Sequence, residues 1–228
     1  MINRTIGLVG FFLCLVLSSS AQLVLPQPTA ESTDLAHIKA VYSQSGVLSY
    51  QMSYRLFPPN ATVAADSLKG SLTMSGSNYH AKIATLEYLK EGNQMLYVDH
   101  DAHQLVLLPP LSNSAANPMS AGTLAGLLES EGIESDVQIL GANKRELSLT
   151  ILHSGIELME IWYSNDNYLI ERTRTTLAAN QAVIEVRYTN YKRQKGKLLA
   201  SIAQYTTFKN KKYTPTERYK NYRITSRT

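Results

Sequence analysis

The feature that most limits how this chain can fold is an alternation of apolar and polar side chains in residues 47–56. Leu48, Tyr50, Met52 and Tyr54 occupy every second position of this segment. Successive side chains of a β-strand point to opposite faces of a sheet, so these four side chains share one face. The pattern predicts an antiparallel sheet with one apolar face and one polar face.

The same two-residue period recurs along most of the chain, between short segments rich in Gly, Asn, Ser and Pro. It predicts further strands at residues 68–74, 79–83, 86–89, 95–98, 104–108, 137–140, 146–152, 158–163, 168–177, 182–193, 198–208 and 219–224. Turns at a spacing of roughly 8–14 residues indicate a meandering antiparallel sheet and not parallel βαβ units. The predicted fold class is therefore mainly β.

Helical spacing of apolar residues is confined to two segments. The first begins at Asp34, a plausible helix N-cap, and ends at Gly46. The second covers residues 120–130 and contains Leu124, Leu127 and Leu128. We expect a few helices beside a large sheet.

The N-terminal residues have the composition of a secretory signal peptide. Arg4 precedes an almost unbroken apolar run at residues 6–17, and small residues follow at 18–21. The run is shorter than the roughly 18–20 apolar residues that span a bilayer. We expect cleavage after Ala21, export across the inner membrane to the periplasm or envelope, and loss of Cys14, the single cysteine. Residues 22–33 are predicted to be a linker, and residues 34–228 a single domain.

Charge is divided unevenly along the chain. Residues 187–228 contain twelve Lys and Arg against one acid, a net charge of +11, and they are rich in tyrosine. Lys209, Lys211 and Lys212 surround a predicted turn and form a candidate basic surface. An exported protein seldom meets nucleic acid, so anionic membrane surfaces or envelope proteins are the expected partners of this segment. Protection of a sheet edge by lysine is the alternative.

The sequence contains no nucleophile elbow, phosphate loop or dinucleotide fingerprint, and it predicts neither an enzyme nor a cofactor. The nearest approach to a metal site is the run from Asp99 to His103, with His80, His37 or His153 as possible further ligands. A short polar run between two strands is far more typical of a turn. We therefore predict a turn and no metal site.

The order of elements resembles a known family. An N-terminal helix precedes a long strand and a strand pair, then the run Glu91-Gly92-Asn93-Gln94-Met95-Leu96-Tyr97, a Gln-containing strand, a helix with paired leucines and a series of antiparallel strands. This order is similar to that of the periplasmic lipoprotein carriers, the LolA family, over roughly residues 34–192. Before the strand at residues 79–83, where the family carries an arginine, this chain has Ser75-Gly76-Ser77.

The resemblance implies an incomplete, curved β-barrel, lidded by helices, whose apolar concave groove takes up acyl chains or a lipoprotein. The residues that we expect to line this groove, from their apolar spacing, are Leu48, Tyr50, Met52, Tyr54, Leu124, Leu127 and Leu128. The residues alone leave two interpretations of this apolar stripe open, a plain core and a ligand wall. The alternative function is a non-catalytic envelope or assembly subunit that binds proteins through its sheet edges and basic C-terminus.

Overall fold

The computed structural model describes residues 30–76, 78–108, 133–151, 156–197 and 200–226. Helix α1 spans Ala30–Ser43. The strands are β1 Val47–Phe57, β2 Asp66–Ser75, β3 Asn78–Ile83, β4 Leu86–Glu91, β5 Gln94–Asp99, β6 Gln104–Leu108, β7 Ile133–Ile139, β8 Lys144–Ile151, β9 Ile156–Ser164, β10 Ile170–Leu177, β11 Val183–Gln194, β12 Thr206–Lys209, β13 Lys212–Pro215 and β14 Arg223–Ser226. Two short 3₁₀ helices lie at Ile202–Gln204 and Glu217–Tyr219.

Twelve of these strands form one sheet, in the order β14-β6-β5-β4-β3-β2-β1-β11-β10-β9-β8-β7, and β12 and β13 form a separate hairpin. Neighbours in this order are consecutive strands, except that β1 lies beside β11 and that β14 returns to run parallel to β6. The order has two ends, so the described strands do not close into a barrel. The predicted fold class, mainly β with an incomplete barrel, is confirmed.

The predicted start of the first helix is wrong. Helix α1 begins at Ala30, and Asp34 lies inside it with a buried side chain. Arg145 donates to Asp34 at 2.5 Å and the Tyr163 hydroxyl donates at 2.8 Å. Asp34 therefore forms an ion pair with Arg145 of β8 and accepts a hydrogen bond from Tyr163 of β9, and it does not cap the helix. Within the described residues, no helix is long and apolar enough to cross a membrane.

The C-terminal region is also organised differently from the prediction. Residues 198–208 and 219–224 are not two long strands, because each predicted strand contains a 3₁₀ helix or its flank. Ser201 starts the first 3₁₀ helix with a reciprocal capping box to Gln204. The predicted helix at 120–130 and the predicted signal peptide lie outside the described residues.

The chain divides into two compact units. Unit 1 contains, within the described parts, residues 30–42, 55–66 and 133–186. Its helix is fastened to β8, β9 and β10: besides the ion pair of Asp34, the Tyr42 hydroxyl accepts from the backbone of Ile170, and Ile38 is buried. Tertiary contacts of this kind stabilise a short helix more than its own propensity does.

Unit 2 contains residues 43–54, 67–108 and 187–226. Residues 200–226, which we call the C-terminal cover, pack on one face of β4, β5 and β6. The apolar core between them is formed by Leu89, Leu96, Val98, Leu105, Leu107, Ile202, Tyr205 and Tyr219. The outer strands of this unit are thus covered on one side by the end of their own chain.

Candidate ligand-binding face

Strand β1 presents the stripe that the sequence predicts. Leu48, Tyr50 and Met52 are buried at 3–4% exposure, Gln51 between them is exposed, and Tyr54 is half-buried. The Tyr54 hydroxyl lies 3.2 Å from the sulfur of Met52. The structure brings these four side chains to one side of β1, whereas the predicted opposing residues Leu124, Leu127 and Leu128 lie outside the described residues.

Burial raises the pKa of Tyr54, and the Tyr88 phenol of β4 lies close enough to raise it further, so the stripe of β1 continues on the side of unit 2 that carries Tyr88. Residues that pair directly in antiparallel strands point to the same side of the sheet. Leu72 pairs with Ala81, Ala81 with Tyr88, Tyr88 with Tyr97, and Tyr97 with Val106. We call this side the apolar face of unit 2. It comprises Leu48, Tyr50, Met52, Tyr54, Leu72, Met74, Tyr79, Ala81, Ile83, Leu86, Tyr88, Met95, Tyr97 and Val106.

The apolar face is unusual in its share of tyrosine and methionine, with five of the former and three of the latter. The rings of Tyr88 and Tyr97 lie 5.2 Å apart, and Tyr50 packs at 5.0 Å from Tyr191. Burial, reinforced by the neighbouring Asp99, raises the pKa of Tyr88 to about 12. Burial and the nearby phenol of Tyr88 likewise raise the pKa of Tyr79. These hydroxyls therefore stay protonated at physiological pH and can donate hydrogen bonds.

The opposite face of the same strands carries a buried carboxylate, Glu87. Its Oε2 lies 2.6 Å from a ring nitrogen of His80 and accepts from the Tyr205 hydroxyl at 2.6 Å. Its Oε1 lies 2.8 Å from a ring nitrogen of His100 and 3.2 Å from the ammonium of Lys82. Four partners from β3, the turn after β5 and the C-terminal cover thus meet at one side chain.

Burial alone would raise the pKa of Glu87, but hydrogen bonds from His80, Tyr205, His100 and Lys82 outweigh it and hold the pKa well below its usual range. A carboxylate offers about four acceptor positions, and four partners occupy them. The group is consequently an ionised anchor with no acceptor left for the proton of a substrate. It joins the C-terminal cover to the sheet.

The run from Asp99 to His103 forms the predicted turn. The backbone of Ala102 donates to Asp99 at 2.8 Å, and His103 adopts a positive φ of 49°. The other imidazole of the run, His100, contacts Glu87 and also the Tyr222 hydroxyl at 2.8 Å. Among the residues that the structure describes, no group of His, Cys, Asp and Glu has an arrangement that could hold a metal ion.

An open groove of about 580 Å³ lies beside β1, β2 and β3 of unit 2. Its lining includes Met52 and Ser53 of β1, Lys69 and Ser71 of β2, and Lys82 of β3. Polar and apolar groups therefore share this lining.

The predicted basic surface is gathered at one place in unit 2. Lys209, Lys211 and Lys212 are exposed and lie at the tip of the β12–β13 hairpin. The turn between the two strands has only two residues, so the three lysines fall within four consecutive positions.

No protein-family model and no curated protein matches the sequence. The chain is similar to the structure of a conserved protein from Thermus thermophilus, at 9% identity and a TM-score of 0.53, over 87% of this chain and 100% of that one. A LolA superfamily protein from Nitrosomonas europaea is similar at 13% identity and a TM-score of 0.38, over 75% of this chain and 96% of that one. The complex of Pseudomonas aeruginosa MucA and MucB is similar at 13% identity and a TM-score of 0.43, over 75% of this chain and 59% of that one.

The likeness to the Thermus thermophilus structure, with a TM-score above 0.5, shows a shared fold. A LolA superfamily structure is also among those similar to this chain. Sequence identities of 9–13% between this chain and these structures do not indicate a shared function, because one fold can host many functions.

Sequence reasoning missed the site around Glu87. The alternation puts His80, Lys82 and Glu87 at polar positions of neighbouring strands, which is a usable signal, and their register places Lys82 directly opposite Glu87. Tyr205 gave no signal, because it reaches Glu87 across 118 positions of sequence from a segment that was predicted as a strand.

Proposed function

We propose that this chain is an exported, non-catalytic carrier or binding protein of the cell envelope, which holds acyl chains or a lipoprotein against the apolar face of unit 2. The observation that carries this proposal is the composition of that face. Five tyrosines and three methionines share one side of adjacent strands, where a plain core more often uses Leu, Ile and Val. Methionine adapts to irregular apolar partners, and tyrosine joins an apolar ring to a polar tip.

The chemistry of the face suits an ester-linked acyl group. Tyrosine rings and methionine stems offer apolar surface to hydrocarbon, and each buried CH₂ contributes about 0.8 kcal/mol. The hydroxyls of Tyr79 and Tyr88, whose pKa values are raised by burial, remain donors that an ester carbonyl oxygen can accept from. A diacylglyceryl group combines both features.

The surroundings of Glu87 support a function without catalysis. A general base needs a free acceptor position and a pKa near the working pH. Glu87 has neither, since four partners hold it ionised. Its place beneath the C-terminal cover fits a structural anchor.

The test compares two substitutions at neighbouring residues of β1. Met52→Asp puts a carboxylate on the apolar face, and Ser53→Asp puts the same charge on the opposite side of β1. We expect the wild-type protein to bind a fluorescent fatty-acyl probe saturably. Met52→Asp should weaken that binding at least tenfold, because a buried charge costs several kcal/mol, whereas Ser53→Asp should bind like the wild type.

Circular dichroism of each variant is measured beside its titration, because Met52→Asp also destabilises the folded protein. If it does not fold, Met52→Gln is the second variant, with the same Ser53→Asp control. A folded wild type that shows no saturable binding of the probe contradicts the carrier proposal.

A second candidate function, an envelope assembly subunit, is favoured by the edge strand of unit 1. Strand β7 is the last in the sheet order, and Ile139 and Leu140 at its end are 75% and 50% exposed. Among the described strands none pairs with the outer edge of β7, and a sheet edge beside exposed apolar side chains is a ready site for strand addition by a partner. The acyl-probe titration separates the candidates, because an assembly subunit has no need to bind the probe.

A further inference from the structure

The hairpin formed by β12 and β13 has a tip that is unfavourable for a hairpin in isolation. Lys209 pairs directly with Lys212, and the two residues between them, Asn210 and Lys211, have φ values of 51° and 61°. A two-residue turn with both φ values positive favours Asn followed by Gly. Here lysine occupies the glycine position, against the backbone preference of an L residue. Strained positions of this kind often mark functional sites.

The charges at the tip add to that conflict. Lys209 and Lys212 are cross-strand neighbours, where like charges repel. Within the described part of the chain, the ammonium groups of these two residues and of Lys211 form no ion pair or hydrogen bond. Three positive charges therefore stand together without a negative counterpart among those residues, and the tip is complementary to an anionic surface.

An exposed aromatic side chain lies beside these lysines. Phe208 is 59% exposed, and its ring packs 4.6 Å from that of Tyr213, its cross-strand partner. The Tyr213 hydroxyl accepts from the side chain of Gln94 at 2.8 Å, which fixes the aromatic pair to β5. The hairpin thus presents a held apolar ring next to a lysine cluster.

We propose that this hairpin docks the protein on an anionic phospholipid surface, with Phe208 entering the headgroup region and Lys209, Lys211 and Lys212 contacting lipid phosphates. Aromatic rings and basic side chains together are typical of interfacial membrane binding. A protein–protein interface usually needs about 20–30 residues on each side with close shape complementarity. A tip of five residues suits a fluid surface better. This inference does not depend on which ligand the apolar face holds.

The first test measures partition onto vesicles by the protein in its naturally exported and processed form. The variant replaces Lys209, Lys211 and Lys212 by Ser, and the control replaces Lys192, Lys195 and Lys197 by Ser, the same loss of three charges from exposed residues of the same basic segment. At low salt, we expect the hairpin triple to bind phosphatidylglycerol vesicles about 100-fold more weakly than the wild type, from roughly one factor of five per lysine. The control triple should lose less than a quarter of that effect on the logarithmic scale.

Salt dependence and lipid charge complete this test. Binding of the wild type should fall steeply with added salt and should be negligible on pure phosphatidylcholine. Equal losses in the two triples would show that net charge acts without the hairpin, and the proposal would be wrong. A wild type that ignores phosphatidylglycerol vesicles at low salt would also overturn it and leave an acidic protein as the partner to seek.

The second test follows the ring itself. Trp162 is the single tryptophan, so Phe208→Trp in a Trp162→Phe background places one indole at the tip. With phosphatidylglycerol vesicles, we expect its emission to shift to shorter wavelength and to be quenched by brominated lipid. If the protein is vesicle-bound while the indole remains solvent-like and unquenched, Phe208 does not enter the membrane. Circular dichroism and acyl-probe binding, measured in parallel, show whether each variant is folded.

Discussion

At the scale of single residues, Glu87 shows how a charge can be kept inside a sheet. The residue is 7% exposed, and desolvation of an unpaired carboxylate costs several kcal/mol. Donors from His80, His100 and Tyr205, with the ammonium of Lys82, satisfy both oxygens. The carboxylate consequently stabilises the fold only while it is ionised and all its partners are in place.

We predict that Glu87→Gln lowers the free energy of unfolding by about 1–3 kcal/mol at pH 7, because the amide cannot accept from all of these donors. Urea denaturation followed by circular dichroism measures the change. Glu171→Gln is a suitable control, since that carboxylate pairs with Lys144 on an exposed surface and should change stability by less than about 1 kcal/mol. Similar losses in the two variants would contradict the role given to Glu87.

The same network predicts a pH dependence with a definite sign. The pKa of Glu87 is lower in the folded protein than its usual value of 4.5, so its contribution is present above that value and is lost as the pH falls towards the folded pKa. The stability difference between wild type and Glu87→Gln should therefore shrink as the pH is lowered from about 6 to about 3. Urea midpoints of both proteins across this range provide the measurement, and a difference that stays constant would refute the assignment.

At the scale of secondary-structure elements, the C-terminal cover is held by aromatic packing as well as by Glu87. Tyr219 is buried and its ring stacks 4.8 Å from that of Tyr205 over the core of β4, β5 and β6. We predict that Tyr219→Ala lowers the free energy of unfolding by about 3–5 kcal/mol, as for other large-to-small core changes. Tyr213→Ala, in the same segment but only half-buried, should lower it by less than half as much.

Thermal or urea unfolding of the two variants gives this comparison directly. A result in which Tyr213→Ala is the more damaging would mean that the hairpin, and not the 3₁₀ helix at Glu217–Tyr219, fastens the cover to the sheet.

The elements that could be predicted are those encoded by local pattern. Alternation predicts β1, the β2–β3 pair and the turn at Gly92, because a strand with one buried face leaves a period of two in the sequence. The C-terminal cover could not be predicted in this way. Its strand β14 pairs in parallel with β6, so that Arg223 meets Gln104 across 119 positions of sequence, and its first 3₁₀ helix begins at a capping box.

The candidate site also has a part that local pattern predicts and a part that it does not. The side of β1 on which Leu48, Tyr50 and Met52 lie follows from alternation alone. The cluster around Glu87 and the aromatic pair at Phe208 require the register between strands and the path of the C-terminal segment, and neither is a local property. The tyrosine content of the apolar face likewise depends on the register between the strands of unit 2.

At the scale of the whole molecule, we propose that the protein carries an acyl ligand on the apolar face of unit 2. Native mass spectrometry of the protein recovered from the cell envelope under mild conditions tests it most directly. We expect mass increments that match acyl lipids or a lipidated peptide, retained in Ser53→Asp and lost in folded Met52→Asp. A wild type that is folded and consistently free of any acyl adduct, even after incubation with diacylglyceryl peptide, would contradict it.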